Sequence, residues 1–243
     1  MIALLKKEIR SFLSSLIGYV VMAVFLLITS LFMWIFPGEF NVLDMGFANI
    51  DSLFFISPYV FMFLIPAVTM RSFSEERRTG TLELLLTKPI TDFQIILAKY
   101  LAGLILVLIS LLPTLLFFLT VYQLGNPPGN VDTGGTWGSY IGLLLLASGY
   151  VAIGIFASSI SRNQIVAFLL AVLLTFFMYM GFSSIGSFEL LGTLDDFIIK
   201  LGMQHHFASL SMGLIDSRNV IYFIALIAIF FIFTNTVLKS RTW

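Results

Sequence analysis

Long apolar stretches free of any charge, separated by short polar segments, make up most of this chain. Six of them run over about 16–36, 53–70, 100–123, 137–160, 164–182 and 219–238, and none contains Asp, Glu, Lys, Arg or His. A helix needs about 20 mostly apolar residues to cross a bilayer, and a charge at its centre costs roughly 2.5–3.5 kcal/mol on insertion scales. The pattern predicts an all-α, polytopic integral membrane protein with six spans, forming one domain over residues 1–243. No internal repeat, low-complexity tract or shift of composition divides it.

Residues 1–15 read differently. Ile2, Leu5, Ile9, Phe12 and Leu13 fall at helical spacing opposite Lys6, Lys7 and Arg10, the pattern of an amphipathic helix on a membrane surface. The run after it exceeds the 7–15 residues of a typical signal-peptide core and lacks a small-residue cleavage site, so it is read as the first span.

With six spans the termini share a side. Placing them in the cytoplasm puts Lys6, Lys7, Arg10, Arg71, Arg77, Arg78, Lys88, Lys99, Arg162, Lys239 and Arg241 there, and leaves only Lys200 and Arg218 opposite. Eleven basic residues against two orient the chain in the cytoplasmic membrane with both termini in the cytoplasm. The other side takes Glu39, Asp44, Asp51, Asp132, Glu189, Asp195, Asp196 and Asp216, so the net charge of zero conceals a layered arrangement. The turn GNPPGNVDTGG, 125–135, predicts an irregular loop between spans three and four.

Composition agrees. The chain is 59% hydrophobic and 11% charged, with a mean hydropathy of +1.02, against roughly 45–50% and about 25% in soluble domains. Cysteine is absent, which removes disulfides and thiolate metal sites. Charge-free spans argue against an ion-coupled carrier and against an intramembrane enzyme, both of which need ionisable groups at depth. No G-x-x-x-x-G-K-[ST] loop is present to cradle ATP, so no catalytic residue and no cofactor is assigned to this chain, and nucleic acid is not an expected partner.

The segment 72–94 carries the richest local signals. Ser72 and Glu75 fit a helix-opening capping box, Gly80 interrupts that helix, and Leu82, Leu85 and Leu86 form an apolar stripe. Pro89 ends the second piece, and Thr91 with Gln94 fits another box. Read from the residues alone this is a short helix at the membrane surface.

The run Glu75-Glu76, Gly80-Thr81, Glu83, Leu85, Leu86 and Pro89 resembles the signature of ABC-2-type permeases between their second and third spans. The pattern HHFASLSMGLIDSRNVIYF, 205–223, resembles that family's closing segment at Phe207, Ser209, Gly213, Ile215, Asp216, Tyr222 and Phe223, and at closer range its gliding-motility-associated members. The resemblance implies that Glu75, Glu76, Gly80, Thr81 and Glu83 belong to a coupling helix seated in a separate ATP-binding subunit. It further implies two copies of that subunit, holding ATP and Mg, beneath a homo- or heterodimer of permeases. The implied function is ATP-driven export; the alternative is a non-transporting component that passes ATP-driven motion to envelope or gliding machinery.

Other features have local readings. Gly138 and Gly142 form a GxxxG pair that suits either a dimer contact or packing within one chain. Pro58, Pro66 and Pro113 should kink spans two and three. The pieces 188–191 and 197–201 are too short to cross and should be re-entrant or interfacial. Adjacent His205 and His206 point apart on a helix and lack further ligands nearby, so no metal site is assigned.

Overall fold

A computed structural model describes residues 1–87, 89–188, 192 and 195–240. Lys88, Glu189 and Arg241, and most of the 188–191 piece, lie outside them. The described residues form helices and no strand, and six of the helical stretches are long and apolar enough to cross a membrane. The surface helix α1 (Ile2–Ser14) turns at Ser15 into α2 (Leu16–Ser30), which a π-helical turn extends through Ile35. Span two is α3 (Asp51–Thr69), followed by α4 (Arg71–Thr79) and α5 (Thr81–Leu86). Span three is α6 (Asp92–Leu111) and α7 (Leu115–Leu124), span four α8 (Thr133–Ile160), and span five α9 (Gln164–Phe176) with a π-helical turn and α10 (Phe182–Gly186). Two short helices, α11 (Asp195–Leu201) and α12 (Met203–Leu210), precede the last span, α13 (Ser217–Lys239).

The spans divide by burial. In α8, 78% of the apolar stretch is buried, and 67% in span two, against 22–33% in the other four. The first two therefore form the core and the others present apolar surface of the kind lipid covers. At 28 residues α8 is about 42 Å long, well beyond the roughly 30 Å hydrocarbon layer. Both of its ends are thus available to polar partners.

Small residues decide what packs on α8. A Cβ at Gly138 would lie 2.5 Å from the Gly213 carbonyl oxygen, and one at Gly142 would lie 2.5 Å from the Leu210 Cβ. Further along, a Cβ at Gly149 would come within 2.8 Å of the Met203 side chain, and one at Gly154 would overlap the Thr69 hydroxyl. The two glycines weighed for a dimer contact are therefore occupied by the chain's own 210–213 segment. Where lipid supplies no hydrophobic drive between helices, such close backbone approach is what dispersion packing needs.

The prolines part company. Span two stays helical through Pro58 and Pro66, both buried. Span three breaks at Pro113 into a 3-10 turn, Leu112–Thr114. That turn is braced by the buried Thr114 hydroxyl, 2.7 Å from the Leu111 carbonyl and 3.0 Å from the Tyr140 hydroxyl of α8. The two largest shifts of a helix start from the charge-free runs are at Asp92 rather than 100 and at Thr133 rather than 137. In each case a polar N-cap, Thr91 or Asp132, supplies the acceptor that the first turn needs.

Gly142→Val should lower stability by about 1–3 kcal/mol through overpacking against Leu210. Thermal unfolding of the detergent-solubilised protein measures this, and light scattering should show the oligomeric state unchanged, as intrachain packing requires.

Candidate functional site

The site forms where α1, α4, α5 and the first turns of α6 meet one end of α8. Helix α4 continues from α3 across Met70, which has helical backbone angles and offers no side-chain cap. Ser72 is accordingly inside the helix and buried, so the capping box read at Ser72 and Glu75 does not form. The box at Thr91 and Gln94 does form, with both of its reciprocal hydrogen bonds.

The opening of α4 is instead satisfied from α8. Ser158 Oγ accepts hydrogen bonds from the Phe73 N–H at 2.8 Å and the Ser74 N–H at 3.2 Å, and donates to the Met70 carbonyl at 3.1 Å. In return Arg77 Nη1 donates at 2.5 Å to the Ser159 carbonyl, one of the acceptors left over where α8 ends. A cationic donor is also favoured at the negative end of a helix dipole. Each helix therefore completes the terminus of the other, across about 80 residues of sequence.

Lys99 occupies the centre. Its side chain is 1% exposed, and its ammonium donates to Glu8 Oε1 of α1 at 3.1 Å and to the Ser72 carbonyl of α4 at 2.6 Å. Glu76 Oε1 lies 2.9 Å away, and the Phe73 ring centroid 5.0 Å away. Lys7 adds a second cation, 3.5 Å from Glu76 and 3.8 Å from Glu8. A cation this deep is tolerated only when paired and hydrogen-bonded, and removal of one partner from such a cluster is far costlier than replacement of the whole.

The residues read from the sequence as one site thus separate. Glu76 points inward, with 12% of its side chain exposed, and ties α4 to α1 and α6. Glu75, Gly80, Thr81 and Glu83 are exposed. Gly80 takes the left-handed conformation, φ +72°, that ends α4 and begins α5 at a corner. Leu82 and Leu85 bury the underside of α5, and the Thr79 and Thr81 hydroxyls meet at 2.9 Å across the corner.

Helix α1 also departs from the two-faced pattern. Its buried edge holds Leu4 and Glu8, with Leu5, Phe12 and Leu13 partly covered and Ile2 exposed. Glu8, Lys99, Arg77, Ser158 and Ser159 were not singled out as site residues from the sequence. The available signal was a lone charge on an apolar face: Lys99 follows Ile95 and Ile96 by four and three residues, and Glu8 sits above Leu4 and Leu5 at the same spacing.

At the other end of the bundle α12 is pinned to α8 and α13. Ser139 donates to the Ser211 carbonyl at 2.8 Å, Asn219 Nδ2 to the Ser209 hydroxyl at 2.6 Å, and Tyr222 to the Leu201 carbonyl at 2.6 Å. His206 spends both ring nitrogens on Asn219 and the Lys200 carbonyl, each at 2.8 Å, and stacks on Tyr222. Asp216 caps α13, and Phe207 and Phe223 are buried. The pattern 205–223 is therefore a docking device. No group of three or more His, Cys, Asp or Glu able to hold a metal stands together among the described residues.

The fold and the junction define a polytopic, all-α membrane domain whose surface helix, second span and third span are locked together at one end. The chain belongs to the family described as ABC-2 family transporter protein, whose model it matches over residues 2–241. It is thus a membrane component of a transporter, and the family is one of non-catalytic permeases that work with an ABC ATPase. A comparison with curated proteins gave no match.

Replacing Lys99 by Met should destabilise the protein by about 3–5 kcal/mol, since Glu8 and Glu76 would lose their buried counter-charge and keep only the exposed Lys7. Changing Glu8 and Glu76 to Leu in the same background should recover most of that loss. Thermal unfolding of single and triple variants in detergent checks both statements.

Proposed function

We propose that this protein is the permease subunit of an ATP-driven export complex of the cytoplasmic membrane, with both termini in the cytoplasm and the ATPase on a separate chain. The observation that carries this reading is the exposed corner Glu75, Gly80, Thr81 and Glu83 mounted on a base cross-linked by the buried Lys99 with Glu8 and Glu76. An exposed corner on a stiff base suits a contact that receives force. The excess of basic residues on that side supports the orientation.

In this reading two ATP-binding subunits, holding ATP and Mg, dock beneath a permease pair of identical or different chains. Glu75, Thr81 and Glu83 meet the ATPase, Gly80 shapes the corner, and Glu76 acts from inside by holding α4 in place. Displacement of α5 moves α4 directly, α1 and α6 through Lys99, and α8 through Ser158. Coupling requires that the ATP-bound and ATP-free partner contact the corner differently, since a ligand shifts an equilibrium only by its differential affinity.

Tagged protein purified from gently solubilised native membranes should bring down a phosphate-loop ATPase. Glu75→Lys with Glu83→Lys should reduce the recovered ATPase about tenfold or more, equivalent to ~1.4 kcal/mol, without lowering the unfolding temperature. Glu76→Lys should instead unfold the junction, because it sets a cation against Lys99. Recovery of equal ATPase with the corner variant would sink the docking assignment. If the complex hydrolyses ATP in proteoliposomes and no solute or lipid crosses, the role is transmission of motion to envelope machinery, the activity that a gliding-type relative would have.

A further inference from the structure

A cavity of about 750 Å³ opens at the end of the bundle opposite the junction, between the first turns of α3 and α8, the 39–49 segment and α12. That volume lies in the range of small-molecule sites, about 300–1,000 Å³. Its wall is aromatic: Phe54, Phe55, Tyr59, Tyr179 and Phe207 line it. Phe55 stacks on Phe40 at 5.1 Å, and Tyr59 meets Tyr179 edge-on at 5.8 Å, so the rings form a continuous surface.

The charged side chains lining the cavity are Glu39, Asp51 and Asp132, and no Lys, Arg or His joins them. None of the three is ion-paired among the described residues: Asp51 accepts from Asn49 at 3.0 Å, and Asp132 from the Gly135 N–H at 2.9 Å. One polar atom in the wall, Asn49 Oδ1, is buried without a partner.

Carboxylates beside aromatic faces attract one kind of guest, a cation with an apolar body. Ring quadrupoles draw positive charge to their faces, and the carboxylates concentrate cations at the mouth. An anion would meet three like charges and no donor cation. We propose that this cavity is a binding site for an organic cation with a bulky apolar body, and that such cations are the substrate class of the permease. The second clause rests on the export reading; the binding site does not.

Tetraphenylphosphonium and tetraphenylborate, ions of matching shape and opposite charge, test it by equilibrium dialysis against the detergent-solubilised full chain without ATPase. The phosphonium should bind saturably and the borate should neither bind saturably nor compete. Binding should weaken about tenfold or more, ~1.4 kcal/mol, when Glu39→Gln, Asp51→Asn and Asp132→Asn are combined, the last retaining an oxygen for its cap. Tyr59→Ala should weaken it as well with all carboxylates in place. Equal binding of the two ions, or undiminished phosphonium binding in both variants, would overturn the proposal. Absent phosphonium binding by a chain that still recovers its ATPase removes this site alone. Saturable binding by a chain that recovers none removes the permease reading and leaves the site.

Discussion

A single buried ammonium organises one end of this protein. Lys99 has left water almost completely, and its charge is balanced by Glu8 and Glu76 and hydrogen-bonded to the Ser72 carbonyl. Lys99 and those partners come from three stretches of chain that local sequence does not bring together. Separating α1 or α4 from α6 would strand a charge in a medium of low polarity, so the three move as a unit or not at all. The same constraint explains why a helix at the membrane surface, ordinarily a loosely held element, is fixed in register against span three.

Hydrogen-bond exchange between helix ends extends that unit into the core. Helix α4 starts without a cap of its own, and α8 ends with spare carbonyls; Ser158 and Arg77 resolve both deficits at once. The long, buried α8 then runs to the opposite end, where its glycines let the 210–213 segment approach closely. A continuous packed path thus joins the exposed Gly80 corner to the aromatic cavity. Neither end is an isolated decoration on a bundle of spans.

The separation of Glu75 from Glu76 shows how adjacent, chemically identical residues receive different work. Neighbours on a helix are about 100° apart, since 3.6 residues complete a turn. Once Phe73 and Ser74 face α8, Glu76 must lie over Lys99 and Glu75 must face outward. Their charge makes them look like one acidic motif, yet one is an internal strut and the other an exposed carboxylate.

The spans, the break at Gly80, the cap at Thr91 and an irregular turn after 125, which ends at 132 where α8 begins rather than at 135, were legible in the sequence, because each depends on residues within one or two helical turns of one another. Charge-free length marks a span, and a glycine without Cβ marks a left-handed corner, whatever surrounds them. Tertiary structure alone decided the rest. Ser72 reads locally as a cap and is buried inside a helix; Gly138 and Gly142 suit a dimer contact or packing within one chain equally well, and are filled by residues some 70 positions away in the same chain. Lys99 reads as a basic residue marking the cytoplasmic side, and its partner Glu8 lies 91 residues before it. Periodicity reports which face of an element is apolar, but the pairing of a buried charge or an orphaned helix end is settled only by what the fold brings within about 3 Å of it.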